Sequence, residues 1–138
     1  MPLAPELLAA YEKTDYAVFG EPELVLHVGE PNPDLDELLE AEGVSTAAFI
    51  TAANPGGRAR SGWENEIANA ALVESQTKVG HACFEGEGRN PDGSWTEKSV
   101  LVVGIARAEA EIVGRAFGQN AIVFVERGRP PELVLLKA

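Results

Sequence analysis

Three uninterrupted apolar runs decide most of what this chain can become: Ala47 to Ala52, Val100 to Val103 and Ala121 to Val125. A strand with one wet face alternates polar and apolar side chains. These runs do not, so each is expected in the middle of a sheet with both faces covered. His81 to Glu85 does alternate, with Ala82 and Phe84 on one face and His81, Cys83 and Glu85 on the other. That pattern predicts a half-buried strand.

Covering both faces needs helices, and the sequence marks four. Pro5 to Tyr11 reads as a short one, followed by strands at Tyr16 to Phe19 and Leu24 to His27 around the turn Gly20-Glu21-Pro22. Pro31-Asn32-Pro33-Asp34 supplies an N-cap Asn, a first-turn Pro and an acid. Leu35, Leu38 and Leu39 then form one stripe, and Gly43 is the stop. Longer helices are expected from Gly62 to about Val79, with Ile67, Ala70, Ala71 and Leu72 lying on the sheet, and from Arg107 to Phe117. The fold class that results is α/β, bordering on α+β. It is a mixed sheet of six or seven strands with three to four helices packed on it, and one domain over residues 1–138.

Charge and composition narrow the functions. The net charge is -11, and residues Met1 to Gly57 hold eleven of the 22 acidic residues against Lys13 alone. Duplex nucleic acid and anionic membranes are disfavoured partners, because binding them relies on clustered Lys and Arg. No apolar run approaches the roughly 20 residues that cross a bilayer, and Met1 to Thr14 lacks the pattern of a secretory signal. A cytoplasmic location is the expectation. One cysteine and two histidines supply neither a disulfide nor a zinc site, and no motif calls for a cofactor.

The stretch AFITAANPGGRARSGWENE carries the candidate chemistry. A covered strand runs into a Gly-rich loop and then a helix N-terminus, where free N–H groups and the helix dipole favour anions, and Arg58 and Arg60 are the basic residues nearby. Neither GxxxxGK[ST] nor GxGxxG is present. Thr51, Asn54, Arg58, Arg60, Ser61, Glu64 and Asn65 are the candidate ligand contacts. Ser61 and Glu64 also fit an S-x-x-E capping box, which accounts for both without a ligand.

Two other stretches matter. FEGEGRNPDGSWTEKS joins two strands through the turn Asn90-Pro91-Asp92-Gly93. Glu85, Glu87 and Glu97 could together face a divalent ion, but a solvated face with Lys98 as counter-charge is the favoured reading. In GRAFGQNAIVF, Gly118 suits a left-handed helix cap, and Gln119 and Asn120 either touch a ligand or tie the sheet edge to a neighbouring loop. No GxSxG elbow surrounds any serine, and Cys83 reads as a small buried hydrophobe, so no catalytic residue is assigned.

The segments AFITAANP, SGWEN, GEGRNPDGSW, SVLVVGI and GRAFGQNAIVF together resemble an uncharacterised bacterial family, DUF3293, a domain of unknown function, from about Leu8 to Leu136. The resemblance implies one domain and supplies no activity. Members of that family carry an aromatic residue before the Asn-Pro pair, where this chain has Ala53. If that aromatic walls a pocket, the pocket here is wider.

These features point to binding, with turnover left open, of a small anionic ligand such as a nucleotide or phosphorylated metabolite. Binding there requires the Asn54 and Gly118 loops to converge on one pocket. The alternative is an acidic interaction module without catalytic activity, with either a basic protein partner or a second copy joined along the edge Pro131 to Leu136. It predicts no deep pocket beside Asn54.

Overall fold

Each chain reversal that brings two strands together places them antiparallel, and seven strands join into one sheet in the order β2-β1-β4-β5-β3-β6-β7. The computed structural model describes residues 3–136, so the four terminal residues of the expected 1–138 domain lie outside it. The strands are β1 (Asp15–Val18), β2 (Leu24–Leu26), β3 (Thr46–Ile50), β4 (Ala82–Arg89), β5 (Thr96–Val103), β6 (Ala121–Glu126) and β7 (Glu132–Leu135). The α-helices are α1 (Pro5–Lys13), α2 (Pro33–Ala41), α3 (Gly62–Lys78) and α4 (Arg107–Ala116), with a single 3-10 turn at Pro55–Gly57.

The α/β class and the numbers of strands and helices agree with the sequence, while the mixed pairing is corrected to a wholly antiparallel one. The reason is interleaving. β3-α3-β4 and β5-α4-β6 are crossovers whose two strands run parallel, but β5 lies between β3 and β4, and β3 lies between β5 and β6. This is the split β-α-β order of ferredoxin-like sheets, extended at one edge by the β1–β2 hairpin and at the other by β7.

The three apolar runs are covered on both faces, as their lack of alternation requires. Ala48, Ile50, Val100, Val102, Ile122 and Phe124 pack on one side with Leu72 of α3 and Ala110 of α4. Ala47, Phe49, Leu101, Val103, Val123 and Val125 pack on the other with Leu35 and Leu39 of α2. The second face is concave. Tyr16 of β1 meets Phe49 of β3 edge to face at 5.2 Å although β4 and β5 lie between them in the sheet. The Gly29 N–H also reaches the Pro131 carbonyl at 2.9 Å, joining the segments beside the two edge strands. Gly86 permits that curl, since a β-carbon there would sit 2.0 Å from the Ala17 carbonyl oxygen.

Helix ends follow the sequence closely. Asn32 caps α2 by accepting from the Leu35 N–H at 3.0 Å, and its amide donates to the Val25 carbonyl, which docks the helix on β2. The buried face of α3 differs from expectation: Asn69, Leu72 and Gln76 are buried, while Ile67, Ala70 and Ala71 are exposed. Asn69 repays its burial with hydrogen bonds, accepting from the Ala52 N–H and donating to the carbonyls of Asn65 and Lys98. Hydrophobicity alone therefore misreads the helix phase. No helix among the described residues is long and apolar enough to cross a membrane.

Candidate functional site

Beyond β3 the chain cannot remain strand, because the Asn54 backbone turns left-handed at φ 45° and ψ 59°. Asparagine tolerates that conformation better than most side chains, and here its amide fixes the loop. Asn54 Oδ1 accepts from the Arg60 N–H and from Asn65 Nδ2, and its own N–H donates to Asn65 Oδ1, all at 2.9 Å. Its Nδ2 donates to Glu97 Oε2 at 2.9 Å. Asn54 is thus the junction between the loop, α3 and β5.

The Gly118 loop converges on the same place. The Gly56 N–H donates to the Gly118 carbonyl at 2.7 Å, and Gln119 Nε2 donates to the Ala53 carbonyl at 3.1 Å and to that of Phe117 at 3.2 Å. Gln119 therefore ties the sheet edge to the loop, one of the two roles the sequence allows it. Asn120, also buried, donates from Nδ2 to the Tyr11 hydroxyl at 3.3 Å.

Between these loops, α1 and the concave face lies a cavity of about 540 Å³. Tyr16, Phe49 and Val123 line it from the sheet, and Leu7, Ala10 and Tyr11 from α1. Thr51, Asn54, Gly57, Ala59 and Gln119 form one wall. Thr51 is oriented by its own loop: its hydroxyl donates to the Lys98 carbonyl at 2.6 Å and accepts from the Ala53 N–H at 3.0 Å. The adjoining wall comes from the β4–β5 hairpin, with Gly88, Asn90, Trp95, Glu97 and Ser99. The Asn90-Pro91-Asp92-Gly93 turn closes as expected, with the Gly93 N–H donating to the Asn90 carbonyl and the Asn90 N–H to that of Trp95.

Three of the nine candidate residues, Thr51, Asn54 and Gln119, line this cavity. Asn65 and Asn120 brace lining residues instead. Ser61 and Glu64 form the capping box, with the Ser61 hydroxyl accepting from the Glu64 N–H at 3.1 Å and Glu64 Oε1 accepting from the Ser61 N–H at 3.3 Å. Those bonds hold the Glu64 carboxyl below its ordinary range. The cap sets a carboxylate where an anion was expected, at the positive end of α3. Arg58 and Arg60 are exposed and do not line the cavity. Ala53 is buried but not among the lining residues, so its size does not widen the space.

Residues that sequence reasoning missed complete the walls: Tyr11, Tyr16, Trp95 and, above all, Glu97 as a pocket carboxylate. Burial raises the Glu97 pKa against the hydrogen bond from Asn54, which lowers it. Burial likewise raises Tyr11, opposed by the bond from Asn120. The detectable signal was alternation along β5: Glu97 shares a face with Ser99, Leu101 and Val103, two of which are core residues. Glu85 and Glu87 lie on the other face, opposite Val100 and Lys98, so the three carboxylates do not converge. Among the described residues no group of three His, Cys, Asp or Glu side chains could hold a metal ion. Burial also raises the Cys83 thiol, the wrong direction for a nucleophile.

The model of a family described as "Protein of unknown function (DUF3293)" matches residues 50–122, which include Thr51, Asn54, Trp95, Glu97 and Gln119. No curated protein and no solved structure matches the chain.

Proposed function

The chain belongs to the DUF3293 family, described as a protein of unknown function, and we propose that it binds a small organic molecule in the cavity beneath α1. The observation that carries this reading is the convergence of two separate loops, through Asn54 and Gln119, on one 540 Å³ space facing Glu97 and Trp95. That volume lies within the range of sites that enclose a metabolite-sized ligand. Its lining is also of the right kind, with aromatic and aliphatic surfaces interrupted by a few fixed polar groups.

The charge of the ligand runs against a phosphate in the interior. No Lys or Arg lines the cavity, and Glu97 would repel an anion there. A nucleotide or phosphorylated metabolite could meet Arg58 and Arg60 only with its phosphate outside the mouth. The alternative, an acidic interaction module, predicts no deep pocket beside Asn54, and the cavity favours binding over it.

The chain carries its own reporters for the test. Trp95 lines the cavity, whereas Trp63, on α3, is 72% exposed and away from it. A panel of aromatic and heterocyclic compounds of different charge, phosphates included, is expected to contain members that raise the melting temperature. The same members should shift the Trp95 indole resonance and leave that of Trp63 in place. If no compound moves Trp95 at millimolar concentration, the binding reading fails.

A further inference from the structure

We infer that the ligand of this cavity carries an organic cation, an ammonium or amidinium group, that docks against Glu97 among aromatic rings. The inference rests on the proposed binding function and specifies its ligand class.

Glu97 stands out by what surrounds it. Its side chain points to the concave face, where Oε2 accepts from Asn54 Nδ2. No ion pair among the described residues involves it, and no Lys, Arg or His lines the cavity. The other partly buried strand acid nearby finds a cation, since Glu87 shares Arg89 with Glu23, and Glu132 receives a bidentate pair from Arg107; Glu85, which pairs with none, is exposed. A half-buried carboxylate facing an apolar cavity without a counter-charge is costly. A positively charged ligand removes that cost.

The rings supply the second half of the recognition. Tyr11, Tyr16, Phe49 and Trp95 line the same cavity as Glu97, coming from α1, β1, β3 and the hairpin turn. Ring faces attract cations, and a carboxylate among several rings combines both attractions. A divalent metal would need several hard oxygen ligands, and no such cluster exists among the described residues. An anion meets the Glu97 charge, and a neutral ligand leaves that charge uncompensated. Gly88 leaves the space free: a β-carbon there would stand 3.5 Å from Thr14 and 3.8 Å from the Trp95 ring. A branched side chain at Gly88 would enter the cavity.

Three probes of nearly one shape separate the possibilities: 2-phenylethylamine, 2-phenylethanol and 3-phenylpropionate, titrated calorimetrically into the full chain, with the Trp95 indole resonance as the local readout. The ammonium is expected to bind about tenfold more tightly than the alcohol, and the carboxylate more weakly than either. In Glu97→Gln the ammonium should fall to the affinity of the alcohol, with alcohol binding preserved and the melting temperature no lower than that of the wild type. Gly88→Val should weaken all three. Should the alcohol match the ammonium in the wild-type chain, or the carboxylate exceed it, the cation assignment is overturned while the cavity stands. Should none of the three move Trp95 at millimolar concentration, both the cation assignment and the binding function fall. The wild-type comparison alone decides between these outcomes, even if a variant does not fold.

Discussion

The two faces of the sheet are built from the same strands and end in opposite conditions. On the face toward α3 and α4, every other residue of the apolar runs meets a helix side chain, and Leu72 and Ala110 are wholly buried against them. On the concave face, α2 seals only part of the surface with Leu35 and Leu39. The rest, from Tyr16 across to Glu97, remains a cavity edged by polar side chains. Two features go with the difference: α2 has only 9 residues where α3 on the other face has 17, and Gly88 leaves out a side chain that would enter the cavity. One face is closed by helices, and the other keeps an open cavity.

Truncating the sealed face should give the largest effect. Leu72→Ala removes a side chain that is 0% exposed and should cost about 2–5 kcal/mol in urea unfolding, as such core truncations do. Affinity for any cavity ligand should be unchanged. A concomitant loss of binding would mean that the two faces are not separable.

Asn54 tests the seam between the faces. Asn54→Ala loses three side-chain hydrogen bonds, to Glu97, Arg60 and Asn65, loosens the loop that holds its N–H against Asn65, and forces alanine into a left-handed backbone. About 2–3 kcal/mol of stability should be lost. Asn54→Gly should recover about 1 kcal/mol by removing the backbone strain. If glycine recovers nothing, the side-chain bonds carry the whole contribution.

How much of this was legible in the sequence depends on whether each feature is local. The covered strands, the α2 cap at Asn32, the capping box at Ser61 and Glu64 and the turn at Asn90 are each specified within a few residues, and each was readable. The buried face of α3 was not, because Asn69 and Gln76 occupy core positions that a hydrophobic pattern assigns to Ile67 and Ala70. The cavity was half legible. Thr51, Asn54 and Gln119 stood out as polar residues at the ends of covered strands, but their partner Glu97 lies 43 residues from Asn54. Only the strand order, with β5 inserted beside β3, brings the two together.

The cavity face should also announce itself through pH. Burial sets the Glu97 pKa above its ordinary 4.5, so protonation is easier in the folded chain than in the unfolded one. The stability linked to this group is fully present below the unfolded pKa and is lost as pH rises through the folded one. Glu97→Gln cannot ionise. Its stability advantage over the wild type, from paired urea titrations, should therefore grow between pH 4.5 and neutrality. A difference that stays flat across that window would place Glu97 in water and erase the contrast between the faces at this point.

The smallest effect is expected where the sequence drew most attention. Arg58 and Arg60 are exposed, and no ion pair or side-chain hydrogen bond among the described residues includes their guanidinium groups; the Arg60 bond to Asn54 comes from its backbone N–H. Replacing either by alanine should shift stability by no more than about 0.5 kcal/mol. The pair Arg58→Ala and Arg60→Ala together should leave the affinity of an ammonium probe within about twofold, a slight gain included, since both charges are exposed to solvent and screened over about 8 Å. Calorimetric titration of the double variant checks this. A phosphate-bearing ligand whose affinity collapses in that variant, with Glu97→Gln having no effect on it, would move the working site out of the cavity to the loop before α3. The two faces would then differ in packing and not in purpose.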